Sequence, residues 1–199
     1  MAVAGQRRGA DTKAEICKVA IELFTERGYE ATSLREIAER LGITKAALYY
    51  HYSSKESIVR SIFEAHLEAL DELTAWAREQ PPGPELRARA VDRMVDLGSG
   101  SGIGSGMAVM RFAMANQHVI RELHDEKGRE NAFGKMNELF DILTGPDAPI
   151  AEVLRVRAAL LSVNLVLMSS RGLDASEAEI TAAARDIAHT LIGSGKPAA

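Results

Sequence analysis

Thr32-Ser-Leu-Arg-Glu-Ile-Ala-Glu-Arg-Leu-Gly42-Ile-Thr-Lys-Ala-Ala-Leu-Tyr-Tyr-His-Tyr-Ser-Ser-Lys55 reads as two short helices joined by a tight turn. Ser33 and Glu36 have the spacing of a capping box, in which each side chain satisfies an orphan amide at a helix start. Leu34, Ile37, Ala38 and Leu41 recur at i, i+3, i+4 and i+7, so the first helix has one apolar face. Gly42 follows, a residue able to take the left-handed conformation that ends a helix. Ile43 is apolar within the turn and is expected to plug the angle between the helices, and Thr44 is placed to cap the second. This is the layout of a helix-turn-helix, whose second helix enters the DNA major groove.

Tyr49, Tyr50, His51 and Tyr52 are consecutive. On a helix they point about 100° apart, so they cannot all face one core. Ala47, Leu48 and Tyr52 suit the inner side, which leaves Thr44, Lys45, Ala46, Tyr49 and Tyr50 outside. Two exposed phenols beside a lysine suit a DNA contact. The phenol donates to phosphate, the ring lies on sugar or a thymine methyl, and Lys45 reaches a guanine edge or a phosphate. The alternative is a helix packed on both sides, with the tyrosines simply buried.

The 199 residues are 46% hydrophobic, enough for one or two domains with a sizeable core. The net charge of −4 by itself argues against a nucleic-acid partner. The charge is unevenly spread, however. Residues 1–60 hold 10 Lys and Arg against 8 Asp and Glu, and the remainder holds 14 against 20. That split fits a small DNA-binding head on an acidic body. Cys17 is the single cysteine, so no internal disulfide forms and a reducing cytoplasm suits the chain. It is expected to be a small buried hydrophobe. No run of about 18 apolar residues suggests a membrane span, and no hydrophobic signal region is evident near the N-terminus.

In chain order, the first nine residues are expected to be disordered. Arg7 and Arg8 are then either a flexible arm for phosphate or the minor groove, or simply a solvated tail. A first helix from Asp11 to about Arg27 carries Ile16, Val19, Ala20, Leu23 and Phe24 on one stripe. A fourth helix starts at Lys55 after Ser53 and Ser54, where free amides suit a phosphate. It runs to about Ala77, roughly 35 Å at 1.5 Å per residue. Gln80-Pro-Pro-Gly-Pro84 is a hard break before a helix from about Glu85. The glycine-rich run Gly98–Gly106 lacks the Gly-Lys-Ser/Thr ending and a preceding strand, so it reads as a flexible interhelix loop rather than a phosphate loop. Further helices are expected from Met107 to about His118, from about Val119 to Leu143, from Ile150 to about Arg171, and from Ser176 to about Ile192. Ser176 and Glu179 form a second capping box. No stretch alternates cleanly for strands.

The protein is therefore expected to be all-α, with about nine helices. An N-terminal three-helix helix-turn-helix head (1–53) precedes a C-terminal helical ligand-binding and dimerisation body (54–199). The last two helices are apolar over much of their surface. A head that reads one half-site calls for a second copy, so a homodimer through about residues 150–192 is expected, as a four-helix bundle across a two-fold axis. A monomer with a thick core is the alternative. No catalytic constellation, no cofactor and no metal site is expected: His118, His124, Asp125 and Glu126 lack i, i+4 ligand spacing, and no serine or cysteine nucleophile motif occurs.

Thr-Ser-Leu-Arg-Glu-Ile-Ala, Leu-Gly-Ile-Thr-Lys-Ala-Ala-Leu-Tyr-Tyr-His-Tyr and Ser-Ser-Lys-Glu resemble the DNA-binding signature of the TetR family of bacterial repressors, over about Lys13 to Ile62. Tyr52 stands where that family usually has phenylalanine. The resemblance implies a ligand-responsive transcriptional repressor that binds double-stranded operator DNA as a cytoplasmic homodimer. Thr44, Lys45, Ala46, Tyr49, Tyr50 and His51 would form the recognition face. Ser33, Arg35 and Lys55 would assist on phosphates, with Arg35 also placed to read a base. The family releases DNA when a small, often hydrophobic effector binds the body. Soft and polar side chains that suit such a pocket are Met94, Met110, Arg111, Met114, Asn116, His118, Phe133, Met136, Asn164 and Met168, although Met and Phe at helical spacing also suit plain core. Two other readings stay open: a helical binding protein whose head no longer reads DNA, and a helical enzyme.

Overall fold

The computed structural model describes the backbone of residues 2–99, 106–123, 126–170 and 172–193, and the side chains of these except 2–10, 106–107, 123 and 126–133. The described residues form ten helices and no strand: α1 (Ala2–Arg27), α2 (Leu34–Leu41), α3 (Lys45–His51), α4 (Lys55–Arg78), α5 (Pro84–Ser99), α6 (Gly106–Ala115), α7 (Gln117–Leu123), α8 (Glu126–Thr144), α9 (Ile150–Ser169) and α10 (Glu177–Leu191).

One expectation is corrected here. The first nine residues are not separate from the first helix, because α1 already begins at Ala2. Extending a nucleated helix through Ala, Gln and Arg costs little, despite Gly5 and Gly9. The described residues of the helix expected from about Val119 to Leu143 are helical and belong to α7 and α8. The centre of the glycine-rich run, residues 100–105, and the pair His124 and Asp125 lie outside the described residues.

The chain groups into two compact units. One comprises Met1–His66 with Ser101–Asp125, the other Leu67–Gly100 with Glu126–Ala199. The border expected at 53/54 is a division by role. Compactness instead assigns the start of α4 and all of α6 and α7 to the unit that holds the helix-turn-helix.

In that first unit Ile16, Leu23, Ile37, Leu48, Ile58 and Ile62 are fully buried in one core. Each such side chain stabilises the fold by roughly 1.5–3 kcal/mol relative to exposure. Phe112 of α6 enters the same core. Its ring centroid lies 5.6 Å from Phe24, 5.7 Å from Tyr29 and 6.4 Å from Phe63. In the second unit, Leu86, Val91, Met94 and Val95 of α5, Leu139 and Leu143 of α8 and Val156, Leu160, Val163 and Leu167 of α9 are buried, with α9 in contact with both α5 and α8. From α10 only Ala184 and Ala188 are buried. Those small residues let α10 lie close to α9 and α5, and Arg185 fastens it by pairing with Asp92 (2.5 Å) and Asp96 (2.8 Å). His189 Nε2 lies 2.9 Å from the same Asp92 carboxylate.

On α9, Ile150, Leu154, Leu161 and Leu165 are 72%, 58%, 52% and 64% exposed. At about 100° per residue these four fall within roughly a 60° arc, opposite the buried set.

Candidate nucleic-acid interface

The turn between α2 and α3 is fixed by local chemistry at both ends. The Ser33 hydroxyl accepts from the Glu36 amide at 3.3 Å, and the Ser33 amide donates to the Glu36 carboxylate at 2.8 Å. The Ser33 backbone and side-chain bonds hold the Glu36 carboxyl below its ordinary range. Gly42 ends α2 at φ 70°, with its N–H on the Ala38 and Glu39 carbonyls. A Cβ there would meet nothing within 4 Å, so the demand for glycine comes from the backbone dihedral alone. The Thr44 hydroxyl then accepts from the Ala47 amide at 3.1 Å and starts α3.

This geometry sorts the aromatic run of α3. Leu48 and Tyr52 are buried, whereas Thr44, Lys45 and Ala46 are exposed. Tyr49 is 45% and Tyr50 85% exposed. Lys45 Nζ stands 5.4 Å from the centroid of the Tyr49 ring. His51 is half-buried, its ring edge-on to Tyr50 at 5.2 Å. Ser33, Arg35, Lys45, Tyr49 and Lys55 line one shallow concavity of about 490 Å³, together with Ser53 and Ser54. Thr44, Ala46, Tyr50 and His51 lie outside that lining. Arg35 is exposed and paired with Glu39 at 2.7 Å, and Glu39 holds the guanidinium charge more firmly.

Lys55 is built in more deeply than its sequence position suggests. Its ammonium donates to the Tyr29 carbonyl at 2.7 Å and sits 4.3 Å over the Tyr29 ring. An ammonium has three donors, so two remain for a phosphate. Tyr29 in turn donates its hydroxyl to Glu56 at 2.9 Å, and burial first, then that bond, push the phenol upward. The motif reading missed Tyr29 as the anchor for Lys55; the only cue was its place after the helix-ending Gly28. It also missed that Glu30 and Glu56 share the concavity with the cations.

The ten side chains suggested for an effector pocket divide between the units. Met110, Arg111, Met114, Asn116 and His118 belong to the first, and Met94, Phe133, Met136, Asn164 and Met168 to the second. Met94 is fully buried core, and Met110 and Met114 are exposed. Arg111, Met136, Asn164 and Met168 are half-buried. The buried Asn116 amide, just past α6, donates to the Phe112 carbonyl at 3.0 Å, one turn back. His118 lies 3.5 Å from Glu30. The Phe133 side chain is outside the described residues. Cavities in the second unit, of about 420 Å³ at Gln80–Arg89 and about 410 Å³ between Ala69 and Leu97, are lined by other residues. Among the described residues no three His, Cys, Asp or Glu side chains gather as a metal site, and no helix is long and apolar enough to cross a membrane.

Residues 16–62 match the model of the bacterial regulatory proteins of the tetR family. The HTH-type transcriptional regulator AcrR of Shigella flexneri is 33% identical over 86 residues, 43% of this chain and 40% of AcrR. The HTH-type transcriptional repressor KstR2 of Rhodococcus jostii is 43% identical over 58 residues, 29% of this chain and 28% of KstR2. The matches thus span well under half the length of these relatives. Over the whole fold, PfmR, a TetR-family regulator of Thermus thermophilus, has a TM-score of 0.65 at 24% identity, covering 92% of this chain and 99% of PfmR. AibR, solved with isovaleryl coenzyme A and operator DNA, has a TM-score of 0.54 at 19% identity, covering 89% of this chain and 96% of AibR.

Proposed function

We propose that this chain, which belongs to the TetR family of bacterial regulators, is a cytoplasmic transcriptional repressor that binds operator DNA as a homodimer and releases it when a small, hydrophobic effector binds its body. The observation that carries the reading is the outer face of α3. Lys45, Tyr49 and Tyr50 stand in solvent on a helix whose start and preceding turn are rigidly capped, beside a concavity that holds Ser33, Arg35 and Lys55. Exposed phenols and ammonium groups on a fixed helix match phosphates and base edges. Residues 1–53 read one half-site. Residues 54–199 supply the second copy and the effector site.

The dimer surface is the exposed aliphatic arc of α9, extended by Ile187 and Leu191 of α10. Two heads one turn apart read half-sites about 34–36 Å from centre to centre. An effector releases DNA only by binding the spread state of the dimer more tightly than the closed one. The complex of AibR with isovaleryl coenzyme A and operator DNA supports pairing these two ligand classes on one fold.

The test is selection of a duplex from a random pool, followed by binding across a salt series. A specific complex is expected, with log K falling steeply against log salt. Tyr49→Ala and Lys45→Ala should each weaken it by about tenfold or more, the worth of one good base or phosphate contact, and leave the dimer intact. Unchanged affinity in both variants would remove α3 from the interface. A wild-type protein that selects no duplex would favour a binding protein whose head reads no DNA.

A further inference from the structure

We propose that the Tyr52 hydroxyl is a positioning group for DNA recognition: it clamps the end of α3 between α1 and α4, and so sets how Lys45, Tyr49 and Tyr50 meet the operator. The proposal rests on the DNA-binding reading above. Tyr52 is the residue just past α3, in extended conformation at φ −140°, its amide closing the helix on the Leu48 carbonyl at 2.9 Å. Its ring is buried. Its hydroxyl donates to Ser61 Oγ on α4 at 3.1 Å and lies 3.1 Å from Cys17 Sγ on α1. With the phenolic proton on Ser61, the phenolic oxygen is free to accept the Cys17 S–H. The three groups then form one directed chain across three helices, deep enough that Cys17 has no solvent exposure.

An aromatic ring alone would fill the core slot. The hydroxyl adds only these two bonds, and both reach helices other than the one that Tyr52 ends. That matters because α3 has seven residues, too few to hold its own orientation. Its pose is decided at its two ends, by Thr44 at one and Tyr52 at the other. Tyr49 lies one turn before Tyr52, so a shift at the clamp moves it directly. Ser61 belongs to α4, a single helix from Lys55 to Arg78 whose residues from Leu67 onward belong to the second unit.

The experiment compares the wild-type full chain with Tyr52→Phe, Ser61→Ala and the double variant, all below their melting transitions. The readouts are affinity for the selected operator, affinity for a scrambled duplex, and amide hydrogen exchange of residues 45–52 without DNA. Tyr52→Phe is expected to lower the operator-to-scrambled ratio by about three- to tenfold, the worth of a neutral hydrogen bond. Its salt slope should be unchanged, since no phosphate contact is lost. The double variant is expected to lose no more than Tyr52→Phe alone, and Ser61→Thr, which keeps a hydroxyl, to recover part of the Ser61→Ala loss. Exchange should quicken in 45–52 and not in α1. A ratio within twofold of wild type, or equal losses on both duplexes, overturns the proposal. If the wild-type chain selects no duplex, the DNA-binding reading fails by itself; the exchange arm then decides the clamp, and unchanged exchange in 45–52 overturns that too.

Discussion

On α3 the large exposed side chains are Tyr49 and Tyr50, with Lys45 beside them; on α9 they are Ile150, Leu154, Leu161 and Leu165. Both helices leave outside what a solitary core would hide, and the chemistry of the two sets differs. Phenols and an ammonium keep hydrogen-bonding capacity in water and lose little by staying exposed there. Four aliphatic side chains in one arc have no such capacity and gain only by meeting another apolar surface. The anchoring differs as well. The start of the α3 surface is pinned by short-range caps at Ser33, Gly42 and Thr44. The α9 surface is held from behind by long-range burial against α5, α8 and α10.

The comparison can be broken first at the core behind α3. Phe112→Ala empties the slot between Phe24, Tyr29 and Phe63. It should cost about 3–5 kcal/mol in chemical denaturation, with the proposed dimer contact on α9 unaffected. A loss under about 1 kcal/mol would mean that α6 is not part of the head's core.

The second break is at α9. Leu161→Glu with Leu165→Glu should raise the dimer dissociation constant by about a hundredfold, as burying unpaired charge at an interface centre does. Sedimentation equilibrium reads it. A wild-type chain that is monomeric at micromolar concentration would leave the α9 arc without its assigned partner.

The smallest effect sharpens the anchoring of α10. Burial pushes the Asp92 carboxyl up, but His189 and Arg185 outweigh it and hold the group below its ordinary value. A carboxylate with a depressed folded pKa stabilises fully above its unfolded value, near about 3.9, and loses that contribution as pH falls through the folded value. Wild type should therefore lose more stability than Asp92→Asn as pH falls from about 5 to about 3, followed by thermal melts at each pH. Parallel curves would show that the cluster contributes nothing to folding.

Much of the first unit was legible because its determinants are local. The capping box at Ser33, the left-handed Gly42, and the inward and outward sides of α3 all follow from residues within four positions of each other, as does the capping box at Ser176 in the second unit. Lys55 shows where that stops. Its place after Ser54 suggested a phosphate contact, yet its link to Tyr29 spans 26 residues of chain and left no periodic trace. The proposed effector residues show the same limit more strongly. Methionines and phenylalanines spaced for a helix mark an apolar face, and nothing in that spacing says whether the face meets a core, a cavity or solvent. Met94 proved to be core and Met114 exposed.

The sequence by itself determined an all-helical chain with a helix-turn-helix near its start, because helix periodicity, caps and a glycine turn act over one or two turns of backbone. Only the tertiary structure decided that α6 and α7 group with the head, that α10 buries alanines and exposes Ile187 and Leu191, and that Tyr52 bridges Cys17 and Ser61. Those outcomes depend on which apolar faces meet. Many pairings of such faces bury similar area, and the choice among them is made by the shape and polar satisfaction of the whole core.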